Sequence, residues 1–433
     1  MIKLPSIAYL YEIFKQYPSV QTDTRKLKSG DIYFALKGPN FNGNLFAEKA
    51  LEAGASYAIV DEEVAADAKW NEKILIVQDG LSTLQALAKH HRQQFNIPFI
   101  GITGSNGKTT TKELVYTVLA SHYTTYTTQG NLNNHIGVPL TLLSIHSDAQ
   151  MAVIEMGANH LHEIASYCEY ALPNYGLITN CGKAHLEGFG SEEGVKKGKG
   201  ELFDFLRANN GTAFIMNDYD YLQNMSKGID NVITYGTQSG TLQAMANTVN
   251  GFLQASFTKG FEMDFIQTQL VGEYNLPNIL AAVSIGIYFK VPAEKIKAAI
   301  ENYAPTNSRS QLLKWNENDV ILDAYNANPS SMKLAIENFA KLNAARKIVC
   351  IGGMKELGTT SIEEHQQLIH LLQQSQWEKV VLVGGDFEGC QHDYLFFPTA
   401  LDAKVWLAEQ NYKGCSILIK GSRGIKMEQV LDL

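Results

Sequence analysis

An α/β protein of three domains is what the sequence predicts. The grounds are its length, its short apolar strands that repeatedly end in Gly, Asn or Asp, and one glycine-rich turn between a strand and a helix. At about 150 residues per domain, a chain of 433 residues holds three. Their expected bounds are a small N-terminal α/β domain at 1–82, a central P-loop-type domain at 83–304 and a C-terminal Rossmann-like α/β domain at 305–433. The central sheet is expected to be mostly parallel, with helices on both faces.

In the first unit DIYFAL (31–36) alternates like a strand, FAEKALEAGA (46–55) repeats with helical period, and SYAIV (56–60) reads as a second strand. ILIVQD (74–79) and FIGIT (99–103) flank the helical segment LSTLQALAKHHRQQF. FIGIT then leads through GSNGKTTT into KELVYTVLASHY, and MAVIEMG (151–157) and YGLITNCG (175–182) are further apolar strands running into polar loops. Strand, turn and helix in that order build a parallel sheet covered by helices, which places ligands beyond the carboxyl ends of its strands. After APTNSRS (304–310) come VILDAYNANP (320–329), KIVCIGGM (347–354), KVVLVGGD (379–386) and SILIKGSRG (416–424). Each is a hydrophobic strand with polar residues clustered at its end.

Composition narrows the partners. A net charge of −8 without a dominant basic tract argues against nucleic acid, which needs clustered Lys and Arg. The five cysteines, Cys168, Cys181, Cys350, Cys390 and Cys415, are scattered and form no C-x-x-C pair, so neither a disulfide framework nor a zinc site is expected. MIKLPSIAYLYEIF shows no cationic leader with an apolar core and cleavage site. The longest apolar stretch, Leu276 to Phe289, is interrupted by Pro277 and Asn278 and falls short of the ~20 residues of a membrane span. The expectation is a cytoplasmic protein with no membrane span.

The sharpest signal is Gly104-Ser105-Asn106-Gly107-Lys108-Thr109-Thr110, directly after a strand and directly before a helix. Glycines let backbone N–H groups curl around a phosphate, and the helix N-terminus favours its charge. Lys108 would neutralise β- and γ-phosphate oxygens and the Thr109 hydroxyl would sit on Mg²⁺. The strict G-x-x-x-x-G-K-[ST] spacing fails, because position 102 is Ile. Glu155 ends an apolar strand, where a carboxylate reaches a phosphate-bound Mg²⁺ or simply faces solvent. His185 is a lone loop histidine. Among the lysines of GVKKGKGELF, spacing gives no reason to choose Lys199. The loop points to ATP or GTP and names no reaction.

At these residues the chain resembles the Mur ligase family. GITGSNGKTTTKE is similar to the family's phosphate loop, T-G-x-x-G-K-T, which accounts for the spacing. TDTRKLKSGDIYFALKG (22–38), TQGNLNNHIGVPLTLL (128–143), EMGANHLHEI (155–164), AHLEGFGSEEGVKKGKGELF (184–203), DAYNANPSSM (323–332) and ILIKGSRGIKMEQV (417–430) resemble further stretches of the family's D-alanyl-D-alanine-adding branch, across all three units. Four positions depart from the pattern: Tyr274 and Asn44 stand where His is common, Gly353 replaces an acid, and Leu322 stands where Asp is frequent.

The resemblance implies a first domain for a UDP-sugar, a central ATPase and a third domain for the incoming amine. It implies ATP-dependent joining of D-alanyl-D-alanine to UDP-N-acetylmuramoyl-tripeptide through an acyl phosphate, a step of peptidoglycan synthesis, by a monomer. Lys108, Lys199 and His185 would be catalytic. Gly104, Ser105, Asn106, Gly107, Lys108, Thr109 and Thr110 would hold ATP, with Asn275 and Asn278 on adenine, and Arg309 and Asp323 reaching ATP across the domain junction. Two Mg²⁺ ions would use Thr109, Glu155, His185 and a carbamylated Lys199. Asp23, Thr24, Arg25, Asn133 and Asn134 would meet the UDP-muramoyl substrate, and Asn326 and Asn328 the dipeptide. Two alternatives stay open: a sister ligase adding a single amino acid, or a folylpolyglutamate synthase-like ligase. A GTPase switch or ATP-driven motor is disfavoured, because the chain holds no N-K-x-D guanine-reading motif.

Overall fold

The structure, a computed structural model, describes residues 4–305 and 308–431. Thr306 and Asn307 of the expected domain junction, and the first three residues of the N-terminal segment, lie outside the described residues. The strands form three main sheets, and a two-residue hairpin pairs Lys37–Gly38 with Phe41–Asn42.

The first sheet is parallel throughout, in the order Val20–Gln21, Ile32–Phe34, Tyr57–Val60, Ile74–Ile76. Alternation along its second strand sends Ile32 and Phe34 to one face and Tyr33 and Ala35 to the other. Tyr33 packs with Ala47, Ala50 and Leu51 of helix Ala47–Glu52. Ile32 and Phe34 meet Leu10, Ile13 and Phe14 of helix Ile7–Gln16 and Leu84 and Leu87 of helix Gly80–Arg92. Ser6 and Asp79 start those two helices by accepting from Tyr9 N and Ser82 N, a cap worth about 1 kcal/mol each. This core runs on without a break into the central sheet at Phe99, Ile100 and Ile102. Arg92 sits at the seam: its guanidinium lies 3.6 Å from the Phe99 ring centre and donates to the carbonyls of Phe95, Ala171 and Leu172.

The central sheet has nine strands. Asn231–Gly236, Thr212–Met216, Tyr175–Ile178, Phe99–Thr103, Met151–Glu155 and Thr125–Thr127 lie parallel in that order. Its far edge is extended by Leu242–Val249, Phe252–Lys259 and Phe265–Gln267, paired antiparallel to one another. Sequence periodicity did not announce these last three strands. Their signal is Asn250-Gly251, both at positive φ (53° and 83°), the dipeptide that two-residue hairpins favour. The apolar stretch at 276 is the helix Leu276–Tyr288, buried nearly all round and packed on helix Lys108–Ala120. Pro277 lies in its first turn, where a missing N–H costs nothing. Among the described residues no helix is long and apolar enough to cross a membrane.

The third sheet runs Gln311–Trp315, Asn318–Asp323, Ser416–Lys420, Lys347–Gly352, Lys379–Val383, Leu395–Phe397, parallel except for its first strand. Val349 and Ile351 fill one face with Ile336, Phe339 and Leu368; Ile348 and Cys350 fill the other with Val381, Leu407 and Ile419. Leu322 belongs to the second of these cores, which is why an apolar residue stands there. Asn44, in the first domain, is buried and tied to Asp61 through both ends of its amide. Gly353 is fixed by contact: a Cβ there would lie 2.5 Å from the Cα of Gly385. Restoring an acid with Gly353→Asp is therefore expected to cost about 1–3 kcal/mol. The check is a lowered urea midpoint with an unchanged slope.

Candidate active site

The carboxyl ends of the central strands and of the third sheet face one cavity of about 1020 Å³. Ser105, Asn106, Gly107, Lys108, Thr109, Thr110, Asn133, Asn134, Glu155, His185, Asn275, Asn278, Arg309, Asp323, Asn326 and Asn328 all line it. Gly104 and Lys199 stand directly behind its wall, and Asp23, Thr24 and Arg25 lie apart in the first domain.

Close approach shapes the phosphate loop. At Gly104 (φ 144°) a Cβ would fall 2.0 Å from Thr179 Oγ1, and at Gly107 (φ 77°) 2.7 Å from Asn278 Oδ1. The neighbouring strand end clamps the loop: Ser105 N donates to Asn180 O (2.8 Å), Asn106 N to Asn180 Oδ1 (3.0 Å), and Thr179 Oγ1 to Asn106 O (2.6 Å). Lys108 opens the helix Lys108–Ala120 and folds back to donate to Gly104 O at 2.5 Å. Burial lowers its pKa, Glu155 opposes that shift, and Arg309 adds to it. Asn278 accepts from Thr111 Oγ1 (3.0 Å) and donates to Asn275 Oδ1 (2.9 Å), so the two asparagines form one polar unit against the loop.

Glu155 is 1 % exposed. Its Oε1 accepts from Thr109 Oγ1 (3.1 Å) and Asn133 Nδ2 (2.7 Å), while its buried Oε2 has no hydrogen-bond partner. An anionic oxygen left so is costly unless a cation meets it. Thr109 and Glu155 are hard oxygen donors beside a phosphate loop, the donor chemistry Mg²⁺ takes with phosphate and water oxygens. Among the described residues no cluster of three or more His, Cys, Asp or Glu forms a protein-only metal cage.

His185, at φ 52°, lines the cavity with its Nδ1 2.5 Å from Glu356 Oε2 of the third domain, a close contact without hydrogen-bond alignment. Lys199 is fully buried, donates to Ala158 O at 2.7 Å and lies 5.0 Å from the Phe189 ring centre. Burial first, and then the charge of Lys108, hold its pKa well below the ordinary lysine value.

The third domain reaches the loop directly, through Asn328 Nδ2 donating to Asn106 Oδ1 at 2.7 Å. Asn328 also caps helix Pro329–Lys341 by accepting from Ser331 N, so its amide is committed, whereas the neighbouring Asn326 is exposed. Tyr274 spans the same junction, its hydroxyl 3.0 Å from Ser310 Oγ. Asn133 and Asn134, expected on the substrate side, also hold structure: Asn133 Nδ2 binds Glu155, and Asn134 Oδ1 accepts from Gly137 N (2.8 Å) at the start of helix Gly137–Leu143. In the first domain Arg25 grips Asp23 through two nitrogens (2.9 and 2.8 Å), holding that carboxyl at about 2. Lys420 and Tyr325 line the cavity without having been singled out in the sequence. Lys420 pairs with Asp323 Oδ2 at 2.5 Å; a lysine closing an apolar strand was the available signal.

A strand-clamped phosphate loop, a buried carboxylate behind it and a third domain closing over both define a nucleotide-using enzyme. The comparisons name the family. Its profiles match residues 16–92 ("Mur ligase family, catalytic domain"), 102–286 ("Mur ligase middle domain") and 308–422 ("Mur ligase, glutamate ligase domain"). The UDP-N-acetylmuramoyl-tripeptide–D-alanyl-D-alanine ligase of Bacillus subtilis is 34% identical over 95% of this chain and 92% of its own length. The crystal structure of MurF from Acinetobacter baumannii matches with a TM-score of 0.86 at 30% identity, covering 95% of this chain and 92% of that one. MurF ligase from Thermotoga maritima, in complex with ADP, gives 0.84 at 26% identity, covering 95% and 96%. The chain belongs to the Mur ligase family.

Because Asn133 orients Glu155 from behind, Asn133→Ala is expected to weaken divalent-cation binding by about 10–100-fold. Titration with Mn²⁺ followed by electron paramagnetic resonance checks it.

Proposed function

We propose that this chain joins D-alanyl-D-alanine to UDP-N-acetylmuramoyl-tripeptide at the expense of ATP, releasing ADP and phosphate. The observation that carries the reading is the single cavity in which the phosphate loop, the unpartnered Glu155 oxygen and the Asn326–Asn328 segment of the third domain meet. The relatives named for this reaction span nearly the whole chain.

Joining a carboxylate to an amine in water is uphill. The γ-phosphoryl group of ATP passes to the tripeptide's terminal carboxylate, giving an acyl phosphate and ADP. The neutral amine of the dipeptide then attacks the acyl carbon, and phosphate departs as the amide forms. Such transfer asks the protein mostly for positioning and charge neutralisation. The loop N–H groups and Lys108 hold the phosphates, and Asn275 with Asn278 lie where adenine binds. Arg309 and Asp323 bring the third domain onto the nucleotide. Thr109 and Glu155 would hold one Mg²⁺, which supplies neutralisation of phosphoryl charge. Asn133, Asn134 and the Asp23-Thr24-Arg25 turn serve the UDP-muramoyl side, and Asn326 the dipeptide. The three units at 1–82, 83–304 and 305–433 divide the work as UDP-sugar, ATP and amine domains, in a monomer acting in the cytoplasm.

Lys199 acts as a carbamate. A buried lysine held neutral is nucleophilic; its nitrogen adds to CO₂, one proton leaves, and the neutral amine becomes a carboxylate-like anion that would serve a second Mg²⁺ beside His185. Rising pH increases the neutral fraction and so favours the adduct. Lys199→Ala is expected to lose turnover and regain part of it with added short-chain carboxylic acids. No rescue at any concentration would remove the carbamate.

The decisive assay measures phosphate release from ATP and Mg²⁺ with UDP-N-acetylmuramoyl-tripeptide, offering D-alanyl-D-alanine, D-glutamate, L-lysine or meso-diaminopimelate in turn. Release dependent on the dipeptide is expected, with a product heavier by one dipeptide less water. Release with a single amino acid instead would reassign the acceptor. Lys108→Ala should fold normally and abolish release.

A further inference from the structure

One ring in the cavity wall carries two guanidinium groups. Tyr325 lies between Asp323 and Asn326 in the lining, with Arg309 Cζ 3.5 Å and Arg423 Cζ 4.8 Å from its ring centre. Both cations gain from the ring's negative face, yet two positive charges gathered on one aromatic repel each other unless an anion joins them. Asp323, two positions before the ring, is already paired with the buried Lys420.

The segment 420–423 follows strand Ser416–Lys420 and is bound along the back of 323–327. Lys420 reaches Asp323 and, at 3.5 Å, Asn326 O. Ser422 Oγ donates to Ala327 O (3.2 Å) and accepts from Lys355 N (3.0 Å). Every polar side chain of the segment is thus spent inside the domain except Arg423, which is exposed and makes no ion pair among the described residues. Arg423 stands one ring away from the cavity: its guanidinium lies against Tyr325, which lines it. Arg309, which itself lines the cavity, also acts by its charge on Lys108 of the phosphate loop.

We propose that Arg423 is the specificity-determining anchor for the C-terminal carboxylate of the incoming dipeptide. This rests on the acceptor reading above. A guanidinium offers two parallel N–H groups to a carboxylate, a match that an uncharged C-terminal amide does not make. Holding that end leaves the amine free to approach the acyl phosphate, beside Asn326.

The test compares D-alanyl-D-alanine with D-alanyl-D-alaninamide as acceptors for the full-length enzyme and for Arg423→Gln and Arg423→Lys. The wild type is expected to favour the free acid strongly. Arg423→Gln should raise the KM for the dipeptide about tenfold or more, close to 1.4 kcal/mol, with the KM for ATP and for the UDP-tripeptide unchanged. In the same variant the preference for acid over amide should collapse, and Arg423→Lys should restore part of it. A wild type that uses the amide as well as the acid overturns the proposal. So does an Arg423→Gln variant whose defect lies in KM for ATP. Unchanged thermal unfolding of the variants separates these outcomes from misfolding. Should the wild type release phosphate with no dipeptide at all, the acceptor reading itself falls and this anchor with it.

Discussion

The site depends on how closely two strand ends approach. With 2.0 Å between Thr179 Oγ1 and a Cβ built at Gly104, only glycine lets the loop descend far enough for Asn180 to bind it through backbone and side chain at once. The loop's curvature, the direction of helix Lys108–Ala120 and the position of Thr109 against Glu155 all follow from that contact. The Gly107–Asn278 approach repeats the device from the other side and ties Asn278 and Asn275 to the same loop. The loop and these two asparagines are therefore set by one packed unit rather than by two.

Buried charge is handled in three ways around this body. Lys420 has a carboxylate, Asp323. Among the described residues Lys108 and Lys199 donate hydrogen bonds to backbone carbonyls and pair with no carboxylate, and burial pulls both toward the neutral form. Glu155 keeps one oxygen unpartnered. Charges that are neither paired nor solvated are expensive, and they concentrate here. Arg92, by contrast, is buried far from the loop and spends its donors on carbonyls at a helix end, where it stabilises the fold.

Much of the architecture was legible because parallel strands buried on both faces read as plain apolar runs that stop abruptly at polar residues. FIGIT, MAVIE and KIVCIG emerged as strands with their ligand-facing ends already marked. The antiparallel edge at 242–267 was hidden, since its strands mix exposed and buried residues irregularly, and only Asn250-Gly251 betrayed it. In the site, the phosphate loop and Glu155 could be read from local pattern. The pairing of His185 with Glu356 and of Asn106 with Asn328 could not, because each joins residues more than a hundred positions apart that meet only when two domains pack. Lys420 and Tyr325 went unremarked for the same reason: their neighbours come from other strands.

The unbroken core between the first and second sheets has a consequence for how such a chain can be taken apart. Leu10, Phe14, Leu84 and Phe99 belong to one apolar body, and helix Gly80–Arg92 serves both sheets. Severing the chain near residue 82 would leave each fragment with a greasy, half-built face. The third domain builds two cores of its own, with Val271 and Phe252 of the central unit packed against the first, and its tie to the phosphate loop is the polar Asn328–Asn106 contact. In recombination between related chains, the first two units should travel together as one exchangeable block, and only the third should graft onto a foreign partner.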